Sequence, residues 1–216
     1  MASRFRPDRF HELPIVGILR GFDPRQTAAL LAAARAGGLS TVEITMDTPG
    51  APDLIRRAVA DHGDTLNLGA GTVTSIDRLE AALAAGAMFV VTPTFDPVVV
   101  ARCRALGVPV FPGALSPTEI EQAWSAGATL VKVFPADGLG PRHLRALKAS
   151  LPHIRLLPTG GVDLASLAEY ARAGADGFGI GSPLFRRDRV DAEDWPWIET
   201  RCRAFRTALL ALRAPP

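Results

Sequence analysis

Lysine is almost missing from this chain. Lysine and arginine together number 24 in 216 residues, yet only Lys132 and Lys148 are lysine, so nearly every cationic position is held by arginine. Cysteine is equally scarce. Cys103 and Cys202 lie far apart and form no CxxC pattern, which excludes a disulfide framework or a cysteine zinc site and fits a reducing compartment. Aromatics make up 6%, and the formal charge of +2 comes from arginines interspersed with acids, so a nucleic-acid surface is not indicated. No charge-free apolar stretch approaches the about 20 residues of a membrane span, and "MASRFRPDRF" carries charge where a signal peptide needs an apolar core. These absences predict a soluble, cytoplasmic protein without membrane or nucleic-acid partners. Clustered histidines are also lacking: His11, His62, His143 and His153 are scattered over the N-terminal segment, a helix end and surface stretches, which predicts no metal centre.

What the chain has in abundance is a repeat. Alanine- and leucine-rich helical segments run through a glycine into short β-branched runs, as in "ARAGGLSTVEIT", "LAAGAMFVVTP", "CRALGVPVFPG", "WSAGATLVKVFP" and "ARAGADGFGIG". Glycine ends a helix cheaply, and a continuously apolar strand suits a sheet buried on both faces. The pattern predicts eight strands, at 15–19, 41–46, 66–72, 88–92, 108–111, 130–134, 155–159 and 177–181. Eight βα units predict a single-domain (β/α)8 TIM barrel, with a doubly wound open sheet as the rival that lacks a nucleotide fingerprint here. Residues 1–13 are read as a capping segment with a short N-terminal helix, 14–186 as the barrel, and 187–216 as the last outer helix. Trp195, Ile198, Phe205 and Leu209 would turn inward from that helix.

In such a barrel the chemistry gathers where the strands end. The polar residues there are Arg20, Glu43, Thr45, Asp47, Thr72, Thr92, Lys132, Thr159 and Ser182, with Pro93 beside Thr92 and glycines at 160, 161 and 181. Strand alternation puts Glu43, Thr45 and Asp47 on one face, and Leu130, Lys132 and Phe134 on another, both inward. A buried lysine loses its proton more easily, and its neutral amine adds to a ketone to give a carbinolamine and then an iminium. Glu43 is the expected partner and proton carrier. A salt bridge that merely fills the interior is the plainer alternative. "TGGVDLASL" and "GIGSPLF" set glycines just before expected helix starts, in the two loops that commonly hold phosphate, with Asp163 and Ser182 as candidate caps.

"ILRG", "VEITMDTP", "GAGTV", "VTPTFDP", "FPGALSPTE", "KVFPA", "PTGGV" and "GIGSPLF", in order over about residues 13–186, resemble the 2-keto-3-deoxy-6-phosphogluconate and 6-phosphogalactonate (KDPG/KDPGal) aldolase family. The resemblance implies a class I lyase that needs no cofactor and splits a keto-acid sugar phosphate into pyruvate and glyceraldehyde 3-phosphate. It implies that Lys132 forms the Schiff base and that Glu43 shuttles protons. Arg20, Thr72 and Pro93 would surround pyruvate, Phe134 would wall the pocket, and Gly160, Gly161, Gly181 and Ser182 would take the phosphate. It also implies a homotrimer. Asp47 departs from the arginine of the phosphogluconate branch and is nearer the asparagine of the phosphogalactonate branch, although its charge would repel a carboxylate. The surrounding motifs favour the phosphogalactonate branch, with phosphogluconate or 4-hydroxy-2-oxoglutarate as alternative substrates. A phosphate-binding isomerase or epimerase, using Glu43 as base, is the reading from another enzyme class; a non-catalytic sugar-phosphate sensor is a third.

Overall fold

The computed structural model describes residues 4–213, so the outermost three residues of the expected capping segment and of the last helix lie outside the described residues. Helix α1 (Pro7–Glu12) leads into β1 (Ile15–Leu19), α2 (Pro24–Ala36), β2 (Thr41–Thr45), α3 (Ala51–His62), β3 (Asn67–Gly71), α4 (Ile76–Ala84), β4 (Val90–Val91) and α5 (Pro97–Ala105). The chain continues through β5 (Val110–Phe111), β6 (Gly113–Ala114), α6 (Pro117–Ser125), β7 (Val131–Val133), α7 (Gly140–Ser150), β8 (Leu156–Pro158), α8 (Leu167–Arg172), β9 (Phe178–Ile180), α9 (Arg187–Asp191) and α10 (Trp195–Arg213).

Local chemistry starts and stops these elements. Asp23 with Gln26, and Ser116 with Glu119, form reciprocal capping boxes on α2 and α6, while Ser75 and Asp96 cap α4 and α5. The glycine in each of the five repeated helix-to-strand junctions, Gly38, Gly86, Gly107, Gly127 and Gly174, has positive φ, which lets the chain turn from helix to strand without a Cβ penalty.

The strands are parallel and form two ladders, one ordered β5-β4-β3-β2-β1-β9 and one ordered β6-β7-β8. This differs from the single eight-stranded ring that the repeat predicts. The expected fifth strand is split because Pro112 has no N–H to donate and interrupts its ladder. Segment 110–114 nevertheless touches both ladders, since the Pro112 carbonyl accepts from the Lys132 N–H at 2.8 Å while Val110 pairs with Val90. At the other junction Asp176 N–H donates to Leu156 O at 2.9 Å and Thr159 bridges Gly179 in parallel register. The result is a curled parallel sheet with helices outside.

Two apolar layers follow from strand alternation. The larger lies between strands and helices and includes Val42, Ile44, Val131 and Val133. The smaller fills one end of the curl with Phe10, Val16, Phe89, Val91, Phe111, Leu130 and Leu157. Phe89 and Phe111 lie 5.5 Å apart between ring centroids, and Phe10 from α1 stacks 5.8 Å from Phe111. That α1 plug closes the end where the strands begin, and each fully buried phenylalanine in it stabilises by about 2 kcal/mol. Along α10, Ile198, Phe205 and Leu209 are buried as expected, while Trp195 is only partly covered.

Candidate active site

Alternation decides what sits above the plug. Leu130 belongs to the plug, so Lys132, two residues on, rises from the same face into the mouth of the curl, where it is 4% exposed. Its neighbours in register are Gly113 on β6 and Leu157 on β8. Glu43 on β2 is 2% exposed and faces the same interior. It has room because β3 presents glycine there: a Cβ at Gly71 would collide with Glu43 Oε1. The other lysine is structural, with Lys148 Nζ bonded at 2.8 Å to both Asp176 Oδ2 and Ile154 O.

Lys132 and Glu43 share a cavity of about 330 Å³ with Ile18, Arg20, Phe134, Thr159, Gly160, Gly161, Val162, Gly179, Gly181, Ser182 and Pro183. Burial holds the lysine amine below its ordinary range, helped by the positive charge of Arg20 and opposed by Glu43. Burial also pushes the Glu43 carboxyl up to about 7, against the pull of Lys132 and Arg20. Neither group is satisfied by the protein. Glu43 Oε2 is buried without a hydrogen-bond partner, and among the described residues Lys132 and Glu43 form no direct ion pair within 4.0 Å. A static salt bridge therefore does not describe them. Lys132 Nζ instead stands 4.6 Å from the centroid of the Phe134 ring, whose face stabilises a cation.

The remaining expected residues divide into two groups. Thr159, Gly160, Gly161, Gly181 and Ser182 line the cavity. The N–H groups of Gly160, Gly161 and Ser182 donate to no described residue, leaving them free for an anion. The helix starts expected here lie elsewhere: α8 begins only at Leu167 and α9 at Arg187, so these donors come from turns. Gly160 and Gly161 hold φ of 91° and 72°, which turns the loop tightly over Asp137. Asp163 accepts from Ser166 N–H at 2.8 Å within that loop rather than capping a helix.

Asp47, Thr72, Thr45 and Pro93 lie outside the cavity wall. Asp47 sits in the turn after β2, not on the strand, and pairs with Arg20 Nη1; Arg20 Nη2 donates to Thr72 Oγ1 at 2.9 Å. Its expected repulsion of a carboxylate is thus offset by a guanidinium. Thr45 bonds Thr48 Oγ1 at 3.1 Å, and Pro93 packs its carbonyl toward Gly113. Ile18, Val162, Gly179 and Pro183 join the site without having been expected, since apolar or glycine residues give no chemical signal in a sequence.

Elsewhere, Cys103 and Cys202 are buried free thiols, both pushed up to about 12 by burial. His143, expected to be solvated, bonds Leu115 O at 2.9 Å, while His153 stays at the surface. Among the described residues no group of three or more metal-ligating side chains is gathered, and no helix is long and apolar enough to cross a membrane.

The site can be set beside known proteins. A protein 37% identical over 176 residues, covering 81% of this chain and 86% of its own, is the 2-dehydro-3-deoxy-6-phosphogalactonate aldolase of Escherichia coli K12. The 2-dehydro-3-deoxy-phosphogluconate aldolase of Treponema pallidum is 42% identical over 164 residues, 76% of each chain. Among solved structures, one described as native KDPGal superposes with a TM-score of 0.87 at 33% identity, covering 93% of this chain and 96% of its own. The model of the aldolase family described as KDPG and KHG aldolase matches residues 7–201, and the chain belongs to that family.

Proposed function

We propose that this chain is a class I aldolase that cleaves 2-dehydro-3-deoxy-6-phosphogalactonate to pyruvate and D-glyceraldehyde 3-phosphate, with Lys132 as nucleophile and Glu43 as proton carrier. One observation carries the reading: a buried lysine in a chain that nearly always uses arginine, with no hydrogen bond or ion pair to its amine among the described residues, beside a carboxyl held up at about 7. Neutral Lys132 adds to the C2 ketone to form a carbinolamine, and loss of water gives the iminium. Glu43, directly or through water, takes the proton of the C4 hydroxyl as the C3–C4 bond breaks. The bond's electrons move into the iminium, glyceraldehyde 3-phosphate leaves, and an enamine of pyruvate remains. Glu43 returns the proton to C3, and water hydrolyses the resulting iminium to pyruvate and free lysine. A carboxyl near 7 carries out both transfers because it is readily protonated and deprotonated near neutral pH.

The free N–H groups of Gly160, Gly161 and Ser182 would take the phosphate, and Arg20 with Thr72 the carboxylate end. Phe134 walls the amine, while Thr45 and Pro93 support the mouth from behind. In the same reading the two ladders close as one (β/α)8 barrel across Pro112 and the Thr159–Gly179 bridge, in a single domain spanning 1–216. The family resemblance extends the reading to a homotrimer, and the unpaired cysteines fit a cytoplasmic setting.

The test is borohydride reduction with pyruvate. One reduced adduct is expected on the peptide carrying Lys132, and none on Lys132→Arg, whose cleavage rate should fall at least about a thousandfold because the charge stays and the nucleophile goes. An active enzyme with an unmodified Lys132 would instead support the isomerase reading. Pyruvate release from both C4 epimers, with and without phosphate, then decides between phosphogalactonate, phosphogluconate and 4-hydroxy-2-oxoglutarate.

A further inference from the structure

We propose that Asp47 is a positioning residue that holds the Arg20 guanidinium across the mouth of the site and away from Glu43. The inference deepens the aldolase reading and rests on it for its functional half. Arg20 is more than half exposed on a flexible side chain, yet it is tethered at two points, by Asp47 beyond β2 and by Thr72 beyond β3. Arg20 and Lys132 are the cations that line the cavity among the described residues.

The Thr72 tether is itself held in an unfavourable backbone. Thr72 adopts φ of 53°, a left-handed conformation costly for a β-branched residue, while Arg78 Nη1 donates to its carbonyl at 3.3 Å and to Thr74 Oγ1 at 3.1 Å. The conformation aims the hydroxyl at Arg20. Two residues from two strand ends thus fix one guanidinium.

The reason to fix it is Glu43, the carboxyl that lines the same cavity. Glu43 has a buried oxygen with no partner, and an untethered arginine lining the same space is the group able to fill that vacancy. Such a pair would hold Glu43 ionised and weaken it as a base, because a carboxylate beside a guanidinium has its pKa lowered by about one to three units. The charged groups facing Glu43 are Lys132, Arg20 and Asp47; the first two lower its pKa and Asp47 raises it. Asp47 therefore acts twice in one direction, by its own charge and by keeping Arg20 occupied.

The test is a carbon NMR titration of the Glu43 carboxyl in the full-length, substrate-free protein, paired with the pH profile of pyruvate methyl-proton exchange into deuterated buffer. Asp47→Asn keeps the shape and removes the charge. It should lower the Glu43 midpoint by about one unit or more, and the exchange profile should move to lower pH by the same amount with a reduced plateau. Asp47→Glu should restore both, and Thr72→Val, which cuts the other tether, should shift them partway. An Asp47→Asn midpoint equal to the wild type, with the fold intact by circular dichroism, would overturn the proposal. Absence of exchange in the wild type would overturn the aldolase reading, whereas the carboxyl titration judges the tether by itself.

Discussion

Glu43 shows at the level of a single side chain how function is bought from stability. Its carboxyl titrates near 4.5 when the chain is unfolded and at about 7 when folded. The raised value fixes the sign of the pH dependence: the contribution is fully present below 4.5 and is lost as pH rises through 7, because the unfolded chain releases the proton before the native one does. Glu43→Gln carries no such charge. Its stability relative to wild type should improve between pH 5 and pH 8 by up to about 3 kcal/mol, read from urea unfolding at both pH values. A constant difference would mean that Glu43 is solvated more than its burial implies. The same residue was legible beforehand, since lysine scarcity singles out Lys132 and strand alternation turns Glu43 inward. The tether of Arg20 was not legible. It depends on where a turn drops Asp47, and a turn's path is set by contacts such as Gly21 N–H to Thr48 Oγ1 at 2.9 Å that no local pattern announces.

At the level of the element, β3 shapes the site by what it omits. The segment "NLGAG" alternates so that Asn67, Gly69 and Gly71 face inward, and two of these three positions carry no side chain. Gly71→Ala would drive a methyl group into Glu43 Oε1 and toward Thr45 Cγ2, 3.2 Å away. The expected cost is about 1–3 kcal/mol in denaturant unfolding, together with slower methyl-proton exchange as Glu43 is displaced. A variant of wild-type stability and exchange rate would show that the strands can move apart freely. The repeat made strand order and the glycine junctions readable, because both follow from local backbone preference. Strand ends were less readable. The ladder fails at Pro112 and the loop after β8 runs on to Leu167, since hydrogen-bond pairing with a neighbour, not apolar composition, decides where a strand stops.

At the level of the whole molecule, the interior is layered along the curl, with aromatic rings at the end covered by α1 and ionisable groups at the open end. This division explains how one short interior both supports the fold and carries chemistry: the plug supplies apolar burial, and the mouth holds a lysine amine kept below its ordinary range by burial beside a carboxyl pushed up to about 7. The arrangement depends on β8 and β9 staying together; the Asp176 N–H bond to Leu156 O joins them at one end, and the narrow parallel bridge between Thr159 and Gly179 joins them at the end beside the cavity. Gly179 is compelled there by space, because a Cβ would strike the Thr159 side chain. Gly179→Ala should therefore part the two strands locally. Hydrogen exchange should speed up in residues 155–159 and 177–181, while β1, β2 and β3, paired over longer registers, keep their protection. Unfolding should cost about 1–3 kcal/mol less than in the wild type. The glycines that line the cavity on either side of this bridge would lose their fixed spacing, so a phosphorylated substrate should suffer in KM more than the unphosphorylated acid does. Uniform deprotection across all strands would show that the curl opens as one unit, and unchanged exchange at both segments would show that the bridge does not hold them together.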